Sequence, residues 1–171
     1  MGIPLRSDPP PDDLQVWVHP ASAAARLGRV LTVAHWAPLV AEEMWTYAEV
    51  LADDRQGPDG MGLLVVVEPH KGVPEPGVRA QLPRIHAKVN GRVQAMALVL
   101  LGDGFGTVVT RSVLMTINLF PNRSYPMRTF GEVRPAVQWL CARPGFPSER
   151  ALLEHVVMSR SLGDRHRGRF D

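Results

Sequence analysis

The stretch Met61–Glu68, MGLLVVVE, constrains the fold more than any other part of the chain. Its five consecutive large apolar residues, Leu63 to Val67, show no alternation. A strand with one wet face alternates, so an unbroken apolar strand is buried on both faces, as in the centre of a parallel sheet. Val93–Leu101, VQAMALVLL, has the same character. Two such strands need helices to cover them. They predict an α/β fold with a single mixed, mostly parallel β-sheet packed with amphipathic helices.

The remaining pattern fits this frame. Leu14–His19 (LQVWVH) alternates and reads as a short strand closed by Pro20. Arg29–Trp36 (RVLTVAHW) reads as a second strand, with Val30, Thr32, Ala34 and Trp36 on one face. The small-residue connection between them, Ala21 to Gly28, is too short for a crossover helix. The two strands are therefore expected to be antiparallel, with one helical turn at most over Ala21–Leu27. Pro38 opens a helix to about Asp53, with Glu42 and Glu43 in the first turns, where the dipole favours acids. Val78, Leu82, Ile85 and Val89 mark a second helix, which Pro83 either kinks or starts. Gly102–Gly106 (GDGFG) is a turn, and a helix is expected over Thr107–Leu119. Tyr125–Phe130 reads as a last strand, at an edge because of Pro126. Glu132–Ala142 is helical, and Ser148 caps a final helix to about Leu162. The order is β-β-α-β-α-β-α-β-α-α, which calls for right-handed crossovers.

These elements divide the 171 residues into four parts. Residues 1–13, containing SDPPPDD, form a flexible N-terminal arm; residues 14–143 form the α/β domain; residues 144–162 hold an extra C-terminal helix; residues 163–171 are a basic flexible tail. With 45% apolar residues the chain can bury a core. The net charge is only +2 and the cations are dispersed, which argues against specific nucleic-acid binding. No apolar run approaches the roughly 20 residues of a transmembrane helix. The N-terminal stretch has no apolar signal-peptide core, so a cytoplasmic location is expected.

No motif carries recognisable chemistry. The six histidines are dispersed and form no ligand spacing with each other or with the lone Cys141, so no metal site is expected. There is no G-x-S-x-G elbow. Cys141 reads as a structural thiol. The GDGFG turn could present backbone N–H groups to an anion, but it lacks the Lys of a P-loop and the third glycine of a dinucleotide fingerprint. No cofactor and no enzymatic activity are expected.

Several phrases, in this order, resemble the SpoIIAA-like branch of the STAS superfamily. They are the strand ending at Trp36 followed by an acid-bearing helix, and the strand LLVVVE followed by a loop and a helix bearing Arg79. The strand MALVLLG and the closing phrase RTF-x5-A-x2-WL, Arg128 to Leu140, complete the set. The resemblance covers roughly Leu14 to Arg143. It implies that the last strand delivers an aromatic to the core and that the next helix packs an Ala and a Trp-Leu pair on the sheet. It also implies a small non-enzymatic module acting through protein partners, as antagonists of anti-sigma factors do. For the SpoIIAA-like branch it further implies possible binding of apolar small molecules. The chain departs from the phosphoregulated members at one place. Val65 to Arg79 contains no Ser, Thr or Tyr, so a phosphoswitch there is chemically impossible.

Three groups of residues are candidates for function. Glu68, His70 and Lys71 leave the central strand at its carboxyl end, where open α/β sheets bind ligands; Asp103, Gly104 and the Arg79 of the following helix join this polar rim. Trp36, Met44, Trp45 and Met115 could line an apolar pocket between sheet and helices, although core packing also explains them. Leu152, Leu153, Val156 and Val157 give the final helix an apolar face that either covers the sheet or forms an oligomer contact. The expected function is a non-catalytic regulatory interaction module with a protein partner or a second copy. The alternative is a carrier or sensor of an apolar small molecule. An enzyme would require Glu68, His70 and Asp103 to converge.

Overall fold

A computed structural model describes residues 14–53, 59–70, 74, 76–102 and 122–167. They form one six-stranded mixed sheet with helices on both faces. The elements are β1 (Gln15–Val18), β2 (Ser22–Leu27), β3 (Val30–His35), α1 (Ala41–Ala52), β4 (Met61–Val67), α2 (Pro76–Val89), β5 (Val93–Leu100), β6 (Met127–Phe130), α3 (Val133–Cys141) and α4 (Glu149–Arg167). Strand order in the sheet follows the sequence, from β1 to β6. β1, β2 and β3 are antiparallel neighbours, whereas β3, β4, β5 and β6 run parallel. The helix expected over Thr107–Leu119 lies outside the described residues.

β4 and β5 are both interior strands, paired on either side, as their unbroken apolar runs require. On one face Leu31, Val33 and Met61 pack with Tyr47, Ala48 and Leu51 of α1 and Ile85 and Val89 of α2. On the other face Val30, Leu64, Val66, Ala95, Ala97 and Val99 meet Ala136, Val137 and Leu140 of α3 and Leu152 and Val156 of α4. Ala136 and Leu140 are fully buried, and the Phe130 and Trp139 rings lie 5.9 Å apart beside them. Among the described residues no helix is long and apolar enough to cross a membrane.

The structure corrects the reading of Ala21–Leu27. The first two expected strands do not pair with each other, because Ser22–Leu27 is itself a strand inserted between them. Gly28, with φ +53°, occupies the first position of the two-residue turn to β3, the place a tight hairpin reserves for glycine. Ala23, Ala24 and Ala25 are fully buried between α1 on one side and α4 on the other. Alanine favours helix in isolation, but here its small side chain lets two layers close on the strand.

Two helices also differ from expectation. α2 runs without interruption through Pro83, whose ring is exposed. α4 continues past Leu162 to Arg167, through residues 163–167 that the sequence assigns to the basic tail. Gly163 explains the extension. It is buried against Trp36, and a Cβ there would lie 2.5 Å from the indole. The glycine that weakens a free helix is what allows this one to dock.

Candidate functional site

Parallel strands bring their carboxyl ends to one edge, where β3 ends at His35 and β4 at Val67. Alternation then sends neighbouring residues to opposite faces. Trp36 follows the face of Val30, Thr32 and Ala34, under α4, and donates from Nε1 to the Pro20 carbonyl at 2.9 Å. His35 follows the face of Leu31 and Val33, under α1.

Beneath α1 lies a buried polar knot that local sequence patterns do not announce. Ser22 faces His35 across the β2–β3 ladder. Its hydroxyl donates to Glu43 Oε2, while the Ala21 N–H donates to Oε1 at 3.1 Å. The single proton of Ser22 is thereby used, so the Tyr47 hydroxyl, 2.5 Å away, donates to Ser22 Oγ. The Tyr47 ring stands edge-on to His19 at 5.7 Å and to His35 at 6.3 Å. Burial holds the Tyr47 phenol well above its ordinary value, with the Glu43 charge acting in the same direction against the Ser22 hydrogen bond. Burial pushes the His35 pKa down from 6.5 to about 4, assisted by the nearby His70 charge.

The knot has the residue types of a catalytic constellation but not the access. Ser22, Glu43, Tyr47 and His35 are each at most 5% exposed. Ser22 donates a hydrogen bond to a carboxylate but lies in an extended strand, not on a strained elbow where a nucleophile would be presented. These bonds lock α1 to β2.

Glu68 and His70 do lie at the carboxyl edge, as expected. Glu68 is nearly buried, and its Oε1 accepts from Arg160 Nε of α4 at 2.8 Å. The rim carboxylate is thus engaged by a residue 92 positions away. His70 is half-buried beside His35. Arg79 is exposed on α2. Gly102, with φ +116°, passes against Pro69, where a Cβ would come within 2.9 Å, so close packing accounts for the first glycine of the GDGFG turn. Lys71, Asp103 and Gly104 lie outside the described residues.

The apolar-pocket candidates are separated. Met44 and Trp45 pack on the α1 and α2 side, where Trp45 Nε1 donates to Gln81 at 2.5 Å, while Trp36 sits on the opposite face. The sheet stands between them. Met115 lies outside the described residues. On α4, Leu152 and Val156 are taken up by the core and Leu153 packs at its margin, leaving Val157 64% exposed. The expectation of an oligomer contact through Leu152 and Val156 is corrected accordingly, since neither reaches the surface. Cys141 is partly buried, and burial together with Glu149 raises its pKa, which suits a structural thiol. Among the described residues no group of three or more His, Cys, Asp or Glu could hold a metal ion.

An open groove lies at the other end of α1. It has a volume of about 530 Å³ between β1, β2 and the helix flank. Trp17 and Val50 line it with apolar surface; Gln15, Arg26, Glu49 and Asp53 supply the polar part. Val16 of the edge strand borders it and is 41% exposed. No protein-family model, curated protein or solved structure matches the chain.

Proposed function

We propose that the chain is a non-catalytic regulatory interaction module of the STAS type, acting through protein contacts. One observation carries this reading. At the carboxyl end of the parallel strands, where an α/β protein ordinarily receives a small molecule, the carboxylates of Glu68 and Glu43 and the hydroxyls of Ser22 and Tyr47 are turned to internal contacts. Glu68 is tied to Arg160, and Ser22, Glu43 and Tyr47 are tied to each other. Topology agrees. Open sheets gain a ligand crevice where the strand order reverses, and here the order runs from β1 to β6 without reversal.

The resemblance to the SpoIIAA-like branch supplies the regulatory part of the proposal. The missing Ser, Thr or Tyr between Val65 and Arg79 makes the module one that is not switched by phosphorylation at that place. The groove beside β1 is open and rimmed by charges, which suits a protein surface better than an enclosed apolar ligand.

Native mass spectrometry of the gently released protein tests the reading. The expected result is a mass equal to the chain or a whole multiple of it. A copurified species of a few hundred daltons, lost on denaturation, would replace this proposal with the carrier or sensor.

A further inference from the structure

The sheet has two edges, and they are built differently. β6 carries Arg128 within its four residues, a charge of the kind that discourages a further strand. β1, QVWV, contains no charge and no proline. Its inner side pairs with β2, so its outer N–H and C=O groups face away from the sheet. Two large apolar residues stand out as exposed among the described residues, and Val16 in the middle of β1 is one of them.

The charges beside this edge say what fits it. Arg26 and Glu49 both border the groove, and among the described residues neither has an ion-pair partner. A partner of uniform charge would select a rim of the opposite sign. A rim carrying both signs is self-complementary, because in a two-fold contact the same patch meets itself. We propose that β1 pairs antiparallel with β1 of a second copy, extending the sheet across a two-fold axis and bringing the two mixed-charge grooves together.

This inference rests on the interaction-module reading and names the first partner as the chain itself. Light scattering and native mass spectrometry at tens of micromolar should give twice the chain mass. Val16→Arg, at an exposed edge position, should yield a folded monomer. Arg26→Glu makes the rim uniformly acidic on both copies and should weaken the dimer about tenfold or more. The double exchange Arg26→Glu with Glu49→Arg restores both signs and should restore the dimer. In a Cys141→Ala background, oxidised Val16→Cys should give a covalent dimer, whereas Val157→Cys on α4 should not.

A monomer at that concentration, or a dimer indifferent to Val16→Arg, overturns the β1 contact. If such a monomer also carries no small molecule, the module reading stands and only this surface is lost. A bound small molecule sinks the module reading whether or not the dimer forms.

Discussion

His35 ends β3 on the face that α1 covers, so the imidazole is 4% exposed and meets Tyr47 edge-on. The groups packed around it are Tyr47 from α1, Ser22 from β2 and His70 from the segment after β4. His35 Nδ1 is buried and has no hydrogen-bond partner among the described residues, so no such bond holds a proton on it. The folded pKa of about 4 lies below the ordinary 6.5. As pH falls the unfolded chain binds the proton first. The contribution of His35 to stability is therefore present above pH 6.5 and lost between 6.5 and 4, by roughly 3 kcal/mol in total. Replacing His35 with Gln should remove about 1.4 kcal/mol per pH unit from the slope of urea-unfolding free energy between pH 6 and 5. His155, whose pKa burial also lowers, should leave a smaller slope in the variant. An unchanged slope would refute the assignment.

α1 and α4 clamp β2 from opposite sides, each with its own polar device. α1 uses Glu43, which the sequence presents as a first-turn acid suited to the helix dipole. Its carboxylate instead reaches Ser22 and the Ala21 N–H, a role set by partners more than 20 positions away. α4 uses Gly163, pressed against Trp36. In an exposed helix, Gly→Ala stabilises by about 1 kcal/mol. At this contact the sign reverses. Gly163→Ala must displace the indole or the helix, and should cost about 1–3 kcal/mol as overpacking. Thermal melts of the variant decide it; a raised midpoint would mean that α4 is not seated on Trp36.

Across the whole molecule, α4 brings the end of the chain back over β2 and β3 and joins the α3 side of the core. Leu152 is fully exposed in no sense: its side chain is 0% accessible. Leu152→Ala should lower stability by roughly 2–5 kcal/mol and leave the mass in solution unchanged. An oligomer contact at this residue would give the converse, a change of mass with little loss of stability. Denaturant melts and light scattering on the same sample separate the two.

Patterns contained within a segment were legible from the sequence. Unbroken apolar runs placed β4 and β5 in the interior of the sheet, and helical spacing found α1, α2, α3 and the start of α4. Alternation put Val30, Thr32, Ala34 and Trp36 on one face of β3. These follow from backbone periodicity, which each segment carries within itself. Tertiary structure alone decided three other matters. It made a strand of an alanine-rich stretch because two layers close on it, and it carried α4 past a glycine because an indole lies opposite. It also chose the partners of Glu43 and Glu68. A buried carboxylate needs donors, and the donors that reach these two come from Ser22 and Arg160, which only the folded chain brings near.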